Sequence, residues 1–289
     1  MRKCLVSILC CAAALLSVQS RAWDDGVTPF VVSPDAVVER MLYLAQPKAG
    51  DRLVDLGSGD GRIVIEAAKR FGARGLGVDI DPRLVSLARE RAKQAGVESL
   101  TSFEVQDLFE TDLRGVSVVT MYLLPEVNLQ LVPRLVAQLK PGARIVSHDY
   151  DLGPWPFDEM MELPLAEKMV GPLGRSRVFL WLVPADARGR WIAEVPEHGG
   201  RWQFDIMQKY QLLEVDARVV NSAGGANMVV RGARLRGEEI RLAITGVIGG
   251  KGYNSLFAGK VTDGRIEGNL RISDGENYKT IPWKATRQP

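Results

Sequence analysis

The 289-residue chain is poor in the residues from which most metal and redox sites are made. Its three cysteines, Cys4, Cys10 and Cys11, all fall in the first eleven residues. Beyond them no Cys zinc site, thiol nucleophile or structural disulfide exists. The two histidines, His148 and His198, are too few for a His-rich metal site. An excess of one charge is also lacking. Thirty-seven Lys plus Arg against 35 Asp plus Glu leave +2, too little to argue for nucleic acid. With 46% apolar and 25% charged residues, the composition excludes a disordered chain, a collagen-like repeat and a multi-span membrane protein. At roughly 150 residues per domain, the length suggests two domains.

The N-terminus departs from this average. Arg2 and Lys3 precede a 14-residue apolar stretch over 5–18, followed by Ser20-Arg21-Ala22. A basic start, a short apolar core and small residues at −3 and −1 read as a secretory signal over 1–22, cleaved before Trp23. Uncleaved, the same segment would be a membrane tether and hold the chain near a bilayer. Export to the periplasm or medium follows in the first case, membrane attachment in the second. Loss of 1–22 removes three basic residues and no acid, which turns the balance from +2 to −1.

Ser33-Pro34-Asp35 reads as a helix start, with Ser33 as N-cap and Pro34 in the first turn. Short apolar runs then recur at 53–56, 75–78, 102–105, 116–122, 144–147 and 177–183. Helical patterns occupy 61–71, 83–95 and 127–139. Strands alternating with helices predict an α/β fold: a Rossmann-like, mostly parallel sheet with helices on both faces. After a polar joint at 185–190 the pattern changes. Glycine-marked turns separate runs near 211–220, 228–235, 240–247, 256–261, 266–272 and 281–285. This predicts an antiparallel β meander over 191–289, a small barrel or a sandwich. Two echoes support repetition: Gly232-Ala-Arg-Leu-Arg-Gly237 with Gly259-Lys-Val-Thr-Asp-Gly264, and Gly189-Arg190-Trp191 with Gly200-Arg201-Trp202.

The most informative stretch is Leu53-Val54-Asp55-Leu56-Gly57-Ser58-Gly59-Asp60-Gly61-Arg62. A buried strand ends in a turn with glycine at every second position, which lets backbone N–H groups approach a ligand. A dinucleotide fingerprint needs its third glycine one position later. Asp55 would also repel a pyrophosphate and suits a cationic group. An NAD-dependent oxidoreductase is therefore a distant alternative. The motif resembles motif I of class I S-adenosylmethionine-dependent methyltransferases. The resemblance covers about 27–184, and Asp55–Val64 with Thr28-Pro29 and Ser33-Pro34 is similar to the branch of the ATP synthase c-subunit lysine N-methyltransferase and its prokaryotic relatives. It implies S-adenosylmethionine as cofactor, lined by Gly57, Ser58, Gly59 and Gly61, with Asp55 at the methionine end. It also implies that Asp79 and Ile80, after the second strand, meet the ribose, and Asp107 and Leu108, after the third, meet the adenine. Asp81 competes with Asp79 but looks like a helix N-cap before Pro82. The β-rich tail has no counterpart in that branch, and the segment after the fourth strand is only loosely similar.

The resemblance further implies a protein lysine or a similar small amine as acceptor. Met121-Tyr122-Leu123-Leu124-Pro125 is not the Asn/Asp-Pro-Pro-Tyr of adenine or glutamine methylation. Tyr122 is the candidate for positioning the acceptor, and His148 the candidate for orienting it or taking a proton. The plainer alternatives are a half-buried core tyrosine and a structural histidine. Trp155, between two prolines, would cover the pocket or pack. The competing function is an exported, non-catalytic binding protein that keeps the fold and grips a partner or apolar ligand with its β domain.

Overall fold

A computed structural model describes residues 31–289 apart from 166, 167, 169, 170, 222 and 223. The leader read in 1–22 lies outside the described residues. Among the described residues no helix is long and apolar enough to cross a membrane. Residues 32–289 form one compact unit.

The first half holds a seven-stranded sheet in the order β3-β2-β1-β4-β5-β7-β6. Its strands are β1 (Arg52–Leu56), β2 (Arg74–Asp79), β3 (Thr101–Val105), β4 (Val118–Met121), β5 (Arg144–His148), β6 (Glu159–Pro164) and β7 (Arg175–Leu182). The first five are parallel, and β7 runs antiparallel to both of its neighbours. Alternation along the strands divides two cores. Leu53, Val118, Val146 and Val178 pack with helices α1 (Asp35–Ala45), α2 (Arg62–Phe71) and α3 (Pro82–Gln94). Val54, Val119, Ile145 and Phe179 pack on the other face with α4 (Pro125–Gln138). The expected α/β sheet is present with helices on both faces. The edge strand β6 carries no apolar alternation strong enough to mark it in sequence: four of its six residues are exposed.

One local expectation changes. Pro34, not Ser33, caps α1, and its carbonyl accepts from Val37 N at 2.8 Å and Val38 N at 3.0 Å. Ser33 is buried instead, with its Oγ 2.9 Å from His148 Nδ1. A buried ring nitrogen needs a partner, and this demand outweighs the local cap.

The second half is a closed eight-stranded barrel rather than a sandwich. Its strands are β8 (Gly189–Val195), β9 (Gly200–Lys209), β10 (Leu212–Asn221), β11 (Gly224–Arg236), β12 (Glu239–Ile248), β13 (Lys251–Thr262), β14 (Arg265–Ser273) and β15 (Tyr278–Arg287). Each pairs antiparallel with the next, and β15 closes onto β8 through Ala285 and Ala193. Closure leaves no sheet edge exposed. Both echoes have structural meaning. Gly237 and Gly264 each sit at positive φ in a hairpin turn. Trp191 and Trp202 are buried, and each indole donates to the carbonyl four residues earlier, Ala187 and His198. Gly259 faces Gly268 across β13 and β14, and a Cβ on Gly268 would lie 2.0 Å from Ala258 O.

Trp202, Phe204, Phe257 and Trp283 fill the barrel interior in edge-on contacts, with centroids 4.9–6.1 Å apart. Small eight-stranded barrels are commonly filled by side chains in this way. The segment expected as a polar joint is fastened to the barrel, where Ala185 and Ala187 join the core. Ala185 N donates to Gly237 O at 2.8 Å, and Ala187 N to Gln208 Oε1 at 2.7 Å. Phe257 touches three other rings, so Phe257→Ala is expected to cost about 3–5 kcal/mol. Urea unfolding measures it, and a loss below about 1 kcal/mol would show that the interior re-packs.

Candidate functional site

The sheet order changes direction at β1, which has β2 on one side and β4 on the other. Open α/β sheets bind ligands in the crevice past the strand ends at such a point. The glycine turn lies there. Gly57, Gly59 and Gly61 have φ of 76°, 54° and 79°, a region that favours glycine. Gly57 N and Ser58 N both donate to Val78 O at 2.9 Å, which fixes the turn against the end of β2. A Cβ on Gly61 would lie within 2.8 Å of Phe103 and Ala88, so the third glycine serves helix packing. Ser58 Oγ is buried without a hydrogen-bond partner, 2.7 Å from where a Cβ of Gly77 would stand.

Three acids crowd this turn. Asp55 is fully buried, and its carboxylate accepts from Thr120 Oγ1 of β4 at 2.7 Å. Burial pushes its pKa up to about 7; the Thr120 bond opposes this, while the charges of Asp79 and Asp60 add to it. Asp79 accepts from Gly59 N at 2.8 Å and Asp81 N at 3.0 Å, yet burial still raises its pKa. Asp60 is different: burial works against its charge, but Arg62 and Arg91 outweigh it and hold the pKa low. Asp81 caps α3 by accepting from Arg83 N at 2.8 Å, as the sequence suggests. Ile80 is 65% exposed beside Asp79. Asp107 is exposed and caps a short 3-10 turn (Leu108–Glu110) through Phe109 N at 2.9 Å, with Leu108 half-buried.

This donor set fits S-adenosylmethionine. Its sulfonium and ammonium end would lie against Asp55, its ribose against Asp79 and Ile80, and its adenine against Asp107 and Leu108. A pyrophosphate would meet Asp55 and Asp79 with like charge.

A second cluster lies past β4 and β5. Tyr122 is half-buried, and its hydroxyl donates to Asp149 Oδ2 at 3.2 Å. Burial and the Asp149 charge push its pKa up, so the phenol keeps its proton. His148 lies under it, with ring centroids 3.9 Å apart. His148 is buried between Ser33 Oγ and Ser176 Oγ, each 2.9 Å from a ring nitrogen. Burial lowers its pKa to about 4, so the ring is neutral near pH 7. Both nitrogens are engaged, and the ring is a support for Tyr122.

Sequence reasoning missed Asp149, Lys168 and Ser176. Asp149 has φ 64°, uncommon for a non-glycine residue. It accepts from Tyr122, from Arg177 N at 3.1 Å and from Lys168 Nζ. Lys168 also donates to Ser176 Oγ at 2.8 Å and Arg175 O at 3.0 Å. Asp149 stands next to His148 in the sequence, and that adjacency was the available signal. Lys168 carried none. Trp155 is buried by packing, 1% exposed.

Comparison with known proteins agrees with this geometry. Residues 55–159 match the ANTKMT methyltransferase domain. A protein-lysine N-methyltransferase of Saccharolobus islandicus is 40% identical over 136 residues, 47% of this chain and 84% of that protein. The chain belongs to the S-adenosylmethionine-dependent methyltransferases, and S-adenosylmethionine is its cofactor. The adenine nucleotide translocase lysine N-methyltransferase of Mus musculus is 40% identical over 44% of this chain, and the mouse ATP synthase c-subunit lysine N-methyltransferase is 36% identical over 45%. The chain spans about half the length of these two relatives, 55% and 52%. A crystal structure of an RNA methyltransferase from Salinibacter ruber with S-adenosyl-L-homocysteine is 50% identical, covering 53% of this chain and 93% of that one, with a TM-score of 0.48. The non-catalytic alternative receives no support from these relatives.

Asp55 is expected to make cofactor binding pH-dependent. With a free pKa of about 7, it is largely protonated at pH 6 and must lose that proton to face a cation. Affinity for S-adenosylmethionine is therefore expected to rise up to tenfold per pH unit as pH approaches 7, and then level off. Calorimetry in buffers of different ionisation enthalpy should show proton release below pH 7. Asp55→Asn should abolish it, and a flat wild-type profile would remove Asp55 from the cation's position.

Proposed function

We propose that this methyltransferase acts on the side-chain amine of a protein lysine, with S-adenosylmethionine held by Asp55, Gly57, Ser58, Gly59, Gly61, Asp79, Ile80, Asp107 and Leu108. The observation that carries the reading is the Tyr122–Asp149 pair at the ends of β4 and β5. The names of the archaeal and mouse relatives support it, because each is a lysine N-methyltransferase.

When bound, the cofactor supplies a methyl group already activated on a sulfonium. The chain's own task is alignment and exclusion of water. An unperturbed lysine has a pKa of about 10.4, so its ammonium must release a proton to solvent before the neutral amine can attack. Tyr122 stays protonated and donates to Asp149, which leaves its oxygen lone pairs free to accept from the incoming amine. His148 holds the phenol ring from below. Asp149 is already balanced by Lys168, so it fixes the Tyr122 hydroxyl rather than acting as a base.

On localisation, the reading of 1–22 remains a proposal of export if cleaved and membrane tethering otherwise. A tether with the catalytic part in the cytosol keeps enzyme and cofactor together, and sequencing the mature N-terminus tests it.

Two substitutions separate the half-sites. Asp79→Ala is expected to weaken S-adenosylmethionine binding tenfold or more, since each charge-assisted bond to the diol is worth about 1.5–3 kcal/mol. Tyr122→Phe should leave that affinity within twofold and lower kcat/KM about 10–100-fold, measured by transfer of an isotope-labelled methyl group to casein. Mass spectrometry then locates the methyl. Methylation confined to residues other than lysine, or transfer to RNA with none to protein, would sink the lysine reading.

A further inference from the structure

The barrel touches the loop that leads out of the acceptor side. Residues 149–158 connect β5 to β6 and carry Asp149 and Tyr150 at their start. Asn128 of α4 holds the first part by donating to Tyr150 O at 3.2 Å and Asp151 O at 3.3 Å. The later part is held from the barrel. Trp155 stacks on Tyr210, centroids 5.3 Å apart and planes within 7°. Gln211 Nε2 donates to Pro156 O. Trp155 itself has a buried indole N–H with no hydrogen-bond partner, so its ring is held by packing. Its carbonyl accepts from Trp181 Nε1 at 2.8 Å.

Tyr210 is an unexpected residue for its position. Lys209 pairs with Leu212, so Tyr210 and Gln211 form a two-residue turn between β9 and β10. Tyr210 has φ 55°. Tight hairpins favour glycine, asparagine or aspartate at such a position, and a bulky side chain there is strained. Strain of this kind persists where surrounding contacts over-determine it. The contact here is the face of Trp155. Asp149, at the other end of the same loop, is also a non-glycine residue at positive φ.

We infer that the β9–β10 hairpin is an acceptor-side element, and that Tyr210 is a positioning residue that sets the 149–158 loop through Trp155. The assignment rests on the acceptor lying beside Tyr122 and Asp149. The barrel thereby helps shape the wall against which the acceptor docks.

The test uses the full chain with two variants. Tyr210→Gly removes the ring but suits the turn, so the hairpin is retained; Tyr210→Phe keeps the ring. In Tyr210→Gly, hydrogen exchange of the amides in 149–158 is expected to accelerate tenfold or more, with 55–62 unchanged. The KM for casein should rise fivefold or more, with the KM for S-adenosylmethionine within twofold. Tyr210→Phe should match the wild type in all of these. Unchanged exchange in 149–158, equal acceleration in 55–62, or parallel rises in both KM values would each overturn the inference. A wild type that transfers nothing to casein counts against the lysine reading, and the exchange comparison still judges the brace.

Discussion

Asp55 is a carboxylate buried at the end of the central strand, with one hydroxyl, that of Thr120, to share its charge. A lone buried charge is costly, and here the cost appears as a pKa raised to about 7. The surrounding structure makes that placement unavoidable. Leu53, Val54 and Leu56 bury β1 on both faces, and β1 and β4 keep Asp55 level with Thr120. The left-handed glycines then turn the chain away before the carboxylate can reach water. A cation bound beside it would offset that cost. A carboxyl that is partly protonated near pH 7 and would release its proton to solvent as a cation binds suits a cationic group better than a phosphate.

The two half-sites are not independent, and Ser33 links them. Its carbonyl accepts from Arg62 Nη1 at 2.9 Å, and Arg62 is bound to Asp60 in the glycine turn. Its hydroxyl meets His148, which carries the ring of Tyr122. A chain of four contacts therefore runs from the cofactor turn to the acceptor tyrosine. Arg62 fills the place where a dinucleotide fingerprint has its third glycine, and its role here is to join the turn to the segment before α1. The buried neutral His148 belongs to this linkage, since burial, with a smaller push from the Lys168 charge, keeps the ring unprotonated against the pull of Asp149.

The glycine turn and the acids around it were legible because each of these residues is marked locally. A strand end, a glycine at positive φ and an acid after the next strand are short-range signals, and the fold places them in register by the regular βα repeat. Asp81 was legible as a helix cap for the same reason: unlike Asp79, it precedes a proline at a helix start. The acceptor side was half legible. Tyr122 and His148 stand at strand ends, but Ser33 lies 115 residues before His148, and Lys168 and Ser176 come from the stretch around β7. Ser33 even carries a local signal, the helix cap, that a long-range bond overrides. Strand β6 escaped notice because an exposed edge needs no apolar alternation. The meander's strands were marked by glycines, yet closure depends on β15 meeting β8, a pairing between residues some ninety positions apart. Barrel or sandwich could not be decided from spacing that both share.

A barrel closed by hydrogen bonds and filled by Trp202, Phe204, Phe257 and Trp283 needs no covalent staple. This gives the cysteine distribution a physical sense. All three thiols precede residue 12, and the stretch that carries both the sheet and the barrel has none. The described fold is therefore held the same way under reducing and oxidising conditions. Methyl transfer from a sulfonium likewise requires no thiol. The aromatic interior has a further consequence for the hairpin at Tyr210. A barrel packed solid is a rigid mount, so force applied at its turns is passed on rather than absorbed. A strained tyrosine on such a mount can hold Trp155 in place, whereas the same residue on a loose loop would relax to an ordinary φ.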